Sequence, residues 1–95
     1  MRTVVGNEYY EINDFWGNKM PMMAMEEAAE LIQAISKVER CNPRVASYDQ
    51  AIENLVEEMA DVSIAIQALM ARYNIDVEYV QEAMNKKLSK EYDEE

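Results

Sequence analysis

Several residue types that carry much of enzyme chemistry are missing or scarce in this chain of 95 residues. There is no histidine, which excludes mechanisms that use an imidazole base and every zinc or di-iron site that needs a histidine ligand. The single cysteine, Cys41, excludes an intrachain disulfide, a CxxC redox pair and a thiolate zinc cluster within one chain. Carboxylates, and the hard cations that they bind, are what remains for catalysis.

Glycine, positive charge and long apolar runs are also scarce. The two glycines, Gly6 and Gly17, cannot form either of the common glycine-rich phosphate loops, because they are too far apart in the sequence. Nine Lys and Arg residues stand against 19 Asp and Glu residues, and a net charge of −10 disfavours nucleic acid and anionic membranes as partners. No apolar run approaches the ~20 residues of a membrane span, and the first ten residues lack the pattern of a signal peptide. We therefore expect a cytoplasmic protein.

The residues that are abundant favour an all-α fold. Ala, Met, Glu, Gln and Leu lose little side-chain freedom in a helix, and few glycines interrupt them. We interpret residues 1–20 as an N-terminal segment with room for one short helix, 21–90 as a helical domain and 91–95 as an acidic tail. Because so short a chain buries little apolar surface alone, we expect a homodimer or homotetramer.

Three helices are predicted in the helical domain. The first runs from Pro21 to Val38, since proline is well tolerated in a first helical turn. The second starts near Tyr48, after a capping box of Ser47 and Gln50, and ends at Asn74. A third follows Asp76. We expect the two long helices to form an antiparallel hairpin within a small helical bundle that oligomerisation completes.

Apolar residues at helical spacing predict which face of each long helix lies in the core. The first helix has five such positions: Ala24, Ala28, Leu31, Ile35 and Val38. The second has nine: Ile52, Leu55, Val56, Met59, Val62, Ile66, Leu69, Met70 and Tyr73.

Each long helix also carries a short acidic motif, Glu26-Glu27-Ala28-Ala29-Glu30 in the first and Glu57-Glu58-Met59-Ala60-Asp61 in the second. Side chains three residues apart are neighbours on a helix, so each motif pairs two carboxylates. One such pair is common on a solvated helix face. In both motifs, however, the pair lies at the border of the apolar stripe, while Glu26 and Glu57 point to solvent.

An antiparallel hairpin would bring the two carboxylate pairs together, and four negative charges in one groove favour a bound cation. Because all the available donors are oxygens, magnesium is expected, with manganese as the alternative.

With its EExxE and ExxD motifs, the chain resembles the MazG-type all-α nucleoside triphosphate pyrophosphohydrolases, over roughly Trp16 to Lys90. The resemblance implies that Glu27, Glu30, Glu58 and Asp61 hold magnesium. It implies hydrolysis of an NTP or dNTP to the monophosphate and pyrophosphate by a water that the metal activates. It assigns no catalytic residue beyond these ligands, and base and sugar preference stay open.

The resemblance also suggests two substrate-binding residues. Trp16 is placed to stack on the base, although a core or interface role is equally open, and Lys87 is the choice for a phosphate contact. A different class of function stays open as well, a non-catalytic acidic helical adaptor or nucleic-acid mimic. A ferritin-like di-iron bundle is disfavoured because it normally needs ExxH motifs.

Overall fold

A computed structural model describes residues 17–93 of the chain, with side chains described as far as residue 90. A 3-10 turn at Gly17–Lys19 leads into helix α1, Met20–Arg40. Helix α2 is Ala46–Tyr73 and helix α3 is Val77–Asp93. The all-α prediction is confirmed, and no strand occurs in the described part of the chain. None of these helices is long and apolar enough to cross a membrane.

The ends of the two long helices agree only partly with the predicted caps. Helix α1 ends at Arg40, and the backbone N–H of the next residue, Cys41, donates to the carbonyls of Lys37 and Val38 at 3.1 and 3.2 Å. The capping box of the second helix is wrong: α2 begins at Ala46, and no side chain caps its first turn. Gln50 instead donates from Nε2 to Asn54 Oδ1 at 3.4 Å, one helical turn further on.

The predicted end of the second helix is confirmed. Asn74 adopts a left-handed conformation, with φ 54° and ψ 46°, and the next N–H, that of Ile75, donates to the Met70 carbonyl at 2.9 Å. Asparagine tolerates this conformation better than most residues, which is why it ends helices well.

Helices α1 and α2 form the predicted hairpin, joined by the five residues 41–45. A long-range hydrogen bond closes its open end, because Arg72 Nη1 near the end of α2 donates to the carbonyl of Gly17 at 2.8 Å. Gly17 has φ 55°, in the left-handed region that favours glycine. The start of α1 is thereby held against the end of α2, as an antiparallel pair requires.

The core of the hairpin consists mainly of small side chains. Its buried hydrophobic residues are Met20, Ala34, Ala51, Ala65, Ala68 and Met70. No leucine, isoleucine or valine is fully buried among the described side chains. Alanine lets the helix axes approach closely but contributes little apolar area. In the described part of the chain, Met20 and Met70 are therefore the only large apolar side chains that are fully buried.

The predicted apolar stripes are partly wrong. In α1, Ala28 is exposed and Ile35 is 47% exposed. In α2, Val56, Met59 and Tyr73 are between 54% and 59% exposed. On the side of α1 that packs on α2, the predicted residues Ala24 and Leu31 are half-buried, and Ala34, which was not predicted, is buried. We call the line along which each helix packs on the other the contact line. The predicted core combined residues of the contact line with residues of a second apolar stripe, which lies about a quarter turn away on the same helix.

We call this second stripe, on both helices together, the apolar face. On each helix it lies about a quarter turn from the contact line, in the same rotational sense when viewed from that helix's N-terminus. Because the two helices run antiparallel, both stripes lie on one side of the hairpin. Its residues are Met25, Ala28, Ile32 and Ile35 of α1 and Val56 and Met59 of α2.

Helix α3 projects away from the hairpin. Val77 and Val80 are half-buried at its start, whereas every described side chain from Gln81 to Lys90 is exposed. The helix continues to Asp93, into the segment predicted as an acidic tail. Its apolar residues Met84 and Leu88 are each 49% exposed, so α3 has an apolar side that the described hairpin does not cover.

Candidate metal centre

The carboxylates of the two acidic motifs meet on the side of the hairpin opposite the apolar face. Glu27 of α1 and Glu58 of α2 lie next to the contact line between the helices, and both are half-buried. The buried alanines Ala34 and Ala65, 6% and 2% exposed, flank them. Larger residues at these two positions would separate the helices and fill the space beside the carboxylates.

Three of the four predicted ligands form a compact group. Glu27, Glu58 and Asp61 each offer a carboxylate oxygen, and these oxygens lie within 4.8 Å of one another. Glu30 is outside this group but close to it, because its negative charge acts on both Glu27 and Glu58 and it lines the same groove as Glu58. The structure therefore brings the four side chains to one place, with Glu30 at the edge of the group.

The electrostatics of the group favour a positive charge. Burial raises the pKa of the Glu27 carboxyl above its usual value, and the negative charges of Asp61, Glu30 and Glu58 raise it further. The pKa of Glu58 is raised for the same reasons, first by burial and then by the charges of Glu30 and Asp61. A neighbouring cation would reverse this repulsion and stabilise the charged carboxylates.

Two oxygen atoms in the group show that it fits a cation. Glu27 Oε2 and Glu58 Oε2 are buried, and neither has a hydrogen-bond partner in the described part of the chain. A buried acceptor without a partner is costly and rare, and a bound ion satisfies it. Because all the donors are carboxylate oxygens, the site suits Mg²⁺ or Mn²⁺ better than softer metals.

The two remaining glutamates of the motifs lie where the sequence predicts. Glu26 and Glu57 are exposed, while Glu27 and Glu58, one position further along, are half-buried. One residue corresponds to a rotation of about 100° around a helix, which is enough to separate the two environments. The chain thus offers a matched pair of glutamates in each motif, one at the group and one in solvent.

A groove of 380 Å³ begins at the carboxylates and runs along the same side of the hairpin. Besides Glu30, Glu58 and Ala34, it is lined by the polar residues Gln33, Lys37 and Asn54. These three residues were not predicted from the sequence, because they lie outside the acidic motifs. Lys37 lies two turns beyond Glu30 and Asn54 lies one turn before Glu58, but only the packing of α1 on α2 brings them to one groove.

Of the two predicted substrate-binding residues, the structure describes only Lys87. Trp16 lies outside the described residues. Lys87 is exposed on α3, and that part of α3 does not pack along the hairpin, so nothing within the described chain brings Lys87 to the carboxylates.

Comparison with known protein families agrees with the motifs and the fold. A model described as the MazG nucleotide pyrophosphohydrolase domain matches residues 18–94, which include all three helices and both acidic motifs. No curated protein and no solved structure matches the chain.

Proposed function

Because the chain belongs to the MazG nucleotide pyrophosphohydrolase family, we propose that it hydrolyses a nucleoside triphosphate, ribo or deoxy, to the monophosphate and pyrophosphate. Glu27, Glu30, Glu58 and Asp61 would hold the magnesium that this reaction needs. The observation that carries the proposal is the group of three carboxylates within 4.8 Å, two of which have a buried oxygen without a hydrogen-bond partner.

The metal ion and the carboxylates would have different roles in this reaction. When bound, magnesium neutralises the triphosphate and lowers the pKa of a coordinated water. Glu27 and Glu58 fix the position of the site, because they project from two helices that the hairpin holds together. Water attacks at the α–β phosphoanhydride, and pyrophosphate leaves with the electron pair of the broken bond. In a chain without histidine, the carboxylates of the group are the nearest acceptors for the proton of that water.

The experiment that tests this function measures pyrophosphate release from a panel of ribo- and deoxynucleoside triphosphates with magnesium. The Glu27→Gln, Glu58→Gln double variant should lose activity on every substrate that the native chain hydrolyses. The matched control, Glu26→Gln with Glu57→Gln, makes the same charge change at the exposed members of the motifs and should retain activity.

Two results would contradict the proposal. One is a native chain that is inactive across the panel and binds no magnesium, which would favour the acidic adaptor. The other is a double variant with native activity, which would place the chemistry elsewhere.

We also propose that the chain works as a homodimer or homotetramer and that the apolar face is the contact between copies. Among the described side chains no leucine, isoleucine or valine is fully buried, while Met25, Ile32 and Val56 on this face are 59% to 68% exposed. A monomer seldom leaves so many large apolar residues together on one side. Domains normally consist of at least two packed layers, and a single hairpin is one layer.

The charge distribution favours a second copy as the occupant of the apolar face. The six residues of the face are uncharged in a chain whose net charge is −10. The carboxylates of the metal centre lie on the opposite side of the hairpin, so two copies can meet face to face without bringing their acidic groups together. Light scattering that shows only monomer at high protein concentration would contradict this part of the proposal.

A further inference from the structure

We infer that Lys37, with the amides of Gln33 and Asn54, forms a phosphate-binding subsite at the far end of the groove that begins at the metal centre. The inference rests on the proposed function and deepens it, because it names the residues that would hold the phosphate chain of the substrate. It concerns a part of the groove to which the acidic motifs do not extend.

The arrangement along the groove has a clear direction. Lys37 follows Glu30 by seven residues on α1, a displacement of about 10 Å toward the loop at the end of the hairpin. Asn54 precedes Glu58 by four residues on α2, and because α2 runs the opposite way, this displacement also leads toward the loop. Both residues line the same groove as the two carboxylates. A ligand lying in the groove would touch the metal centre at one end and Lys37 at the other.

This end of the hairpin carries cations as well as carboxylates. Between the two acidic motifs the only cations in the sequence are Lys37, Arg40 and Arg44. Arg40 donates from Nε to the carbonyl of Ser36 at 3.3 Å and is not part of the groove lining. No ion pair engages the Lys37 ammonium within the described part of the chain, although acidic side chains are abundant. Lys37 is therefore the cation available to a ligand in the groove.

The amide of Asn54 keeps its donors available. Its Oδ1 accepts the hydrogen bond from Gln50 Nε2 at 3.4 Å, so the Nδ2 hydrogens are not used in that contact. Gln33 adds a second amide from the facing helix. Ammonium and amide donors are the groups that bind phosphate oxygens, whereas carboxylates repel them unless a metal ion lies between. The groove thus has carboxylates that can hold a metal ion at one end and hydrogen-bond donors at the other. An extended polyphosphate could bind to both ends at once.

The test measures binding of inorganic pyrophosphate in the presence of magnesium by titration calorimetry, which needs no turnover. Replacing a charged phosphate contact by a neutral one, in Lys37→Gln, should weaken this binding about tenfold. Lys37→Arg should retain most of the affinity. The control Lys19→Gln removes the same charge at the start of the same helix and should bind as the native chain does. Binding of Mn²⁺ alone, followed by its paramagnetic resonance signal, should be unchanged in all three variants.

Three outcomes would overturn the inference. In the first, Lys37→Gln binds magnesium pyrophosphate as tightly as the native chain does. In the second, the native chain does not bind it. In the third, the Lys37→Gln variant loses Mn²⁺ affinity and melts earlier, because Lys37 would then act on the helix end and not on the ligand.

The proposed function is judged separately, by turnover. If nucleotides are hydrolysed, Lys37→Gln should raise KM more than it lowers kcat. If no nucleotide is hydrolysed, the proposed function fails while the pyrophosphate titration still decides the subsite.

Discussion

Replacing Ile32 with glutamine should weaken self-association strongly while leaving the fold of the hairpin intact. Ile32 lies in the middle of the apolar face and is 68% exposed. Complete burial of an isoleucine side chain contributes about 1.5–3 kcal/mol, so covering the exposed part contributes about 1–2 kcal/mol in each copy. A symmetric dimer buries the residue twice, which brings the loss to about 2–4 kcal/mol, or about 30- to 1,000-fold in the dissociation constant.

Sedimentation equilibrium over a dilution series measures this constant directly. Glutamine is a good helix former and Ile32 makes little contact within one copy, so circular dichroism should show unchanged helix content. Ile64→Gln is the control, because Ile64 is 36% exposed but lies on a side of α2 away from the apolar face. The reasoning is refuted if Ile32→Gln associates as tightly as the native chain, or if Ile64→Gln is the variant that dissociates.

The remaining predictions concern the carboxylates and the closed end of the hairpin. Magnesium should raise the melting temperature of the native chain but not that of Glu58→Gln, because the variant lacks a predicted ligand. Without metal, the pKa of Glu27 is raised in the folded state, so the stability that Glu27 contributes is present below pH 4.5 and is lost as the pH rises through the folded-state pKa. We therefore expect the Glu27→Gln variant to melt at a higher temperature than the native chain at neutral pH. At acid pH the two melting temperatures should converge. Arg72→Gln should lose the hydrogen bond to Gly17 and about 1.5–3 kcal/mol of unfolding free energy, measured by urea denaturation.

The parts of the fold that depend on local sequence were predictable. The left-handed Asn74 ends α2 as expected, and Pro21 lies in the first turn of α1. The capping box failed although Ser47 and Gln50 have the right spacing, because α2 begins at Ala46 and places both residues inside the helix. A capping motif identifies a helix start only when the preceding residues leave the helix there, and spacing alone does not determine that.

The core was less predictable than the helices. A helical stripe shows that residues such as Ile35 and Val56 lie on an apolar side, but it does not show which neighbour covers that side. Here α1 and α2 each have one side for the other and a second side that the hairpin leaves exposed. The apolar pattern in the sequence includes both sides of each helix, so some residues of the apolar face were predicted as core. Their phase is consistent with burial between copies, which one chain cannot display.

The cluster of four carboxylates was more predictable from the sequence than the groove beside it. Glu27 and Glu30 are three residues apart, as are Glu58 and Asp61, and each pair shares one helix face whatever the tertiary structure is. Lys37 and Asn54 come from different helices and have different chemistry, so their proximity depends on the register of the hairpin. Only the packing of α1 on α2 makes them lining residues of one groove.

The positions of the carboxylate group and the apolar face also determine how metal binding and self-association relate. Glu27 and Glu58 lie on one side of the hairpin and Ile32 and Val56 on the other, with the contact between the helices separating them. Copies joined through the apolar face therefore leave each carboxylate group on an outer surface, complete within its own chain. It follows that a dissociated Ile32→Gln chain should bind as many metal ions per chain as the native protein does, and with the same affinity. If metal affinity instead fell with dissociation, a second copy would have to contribute ligands, and the carboxylate group of a single chain would not be the whole site.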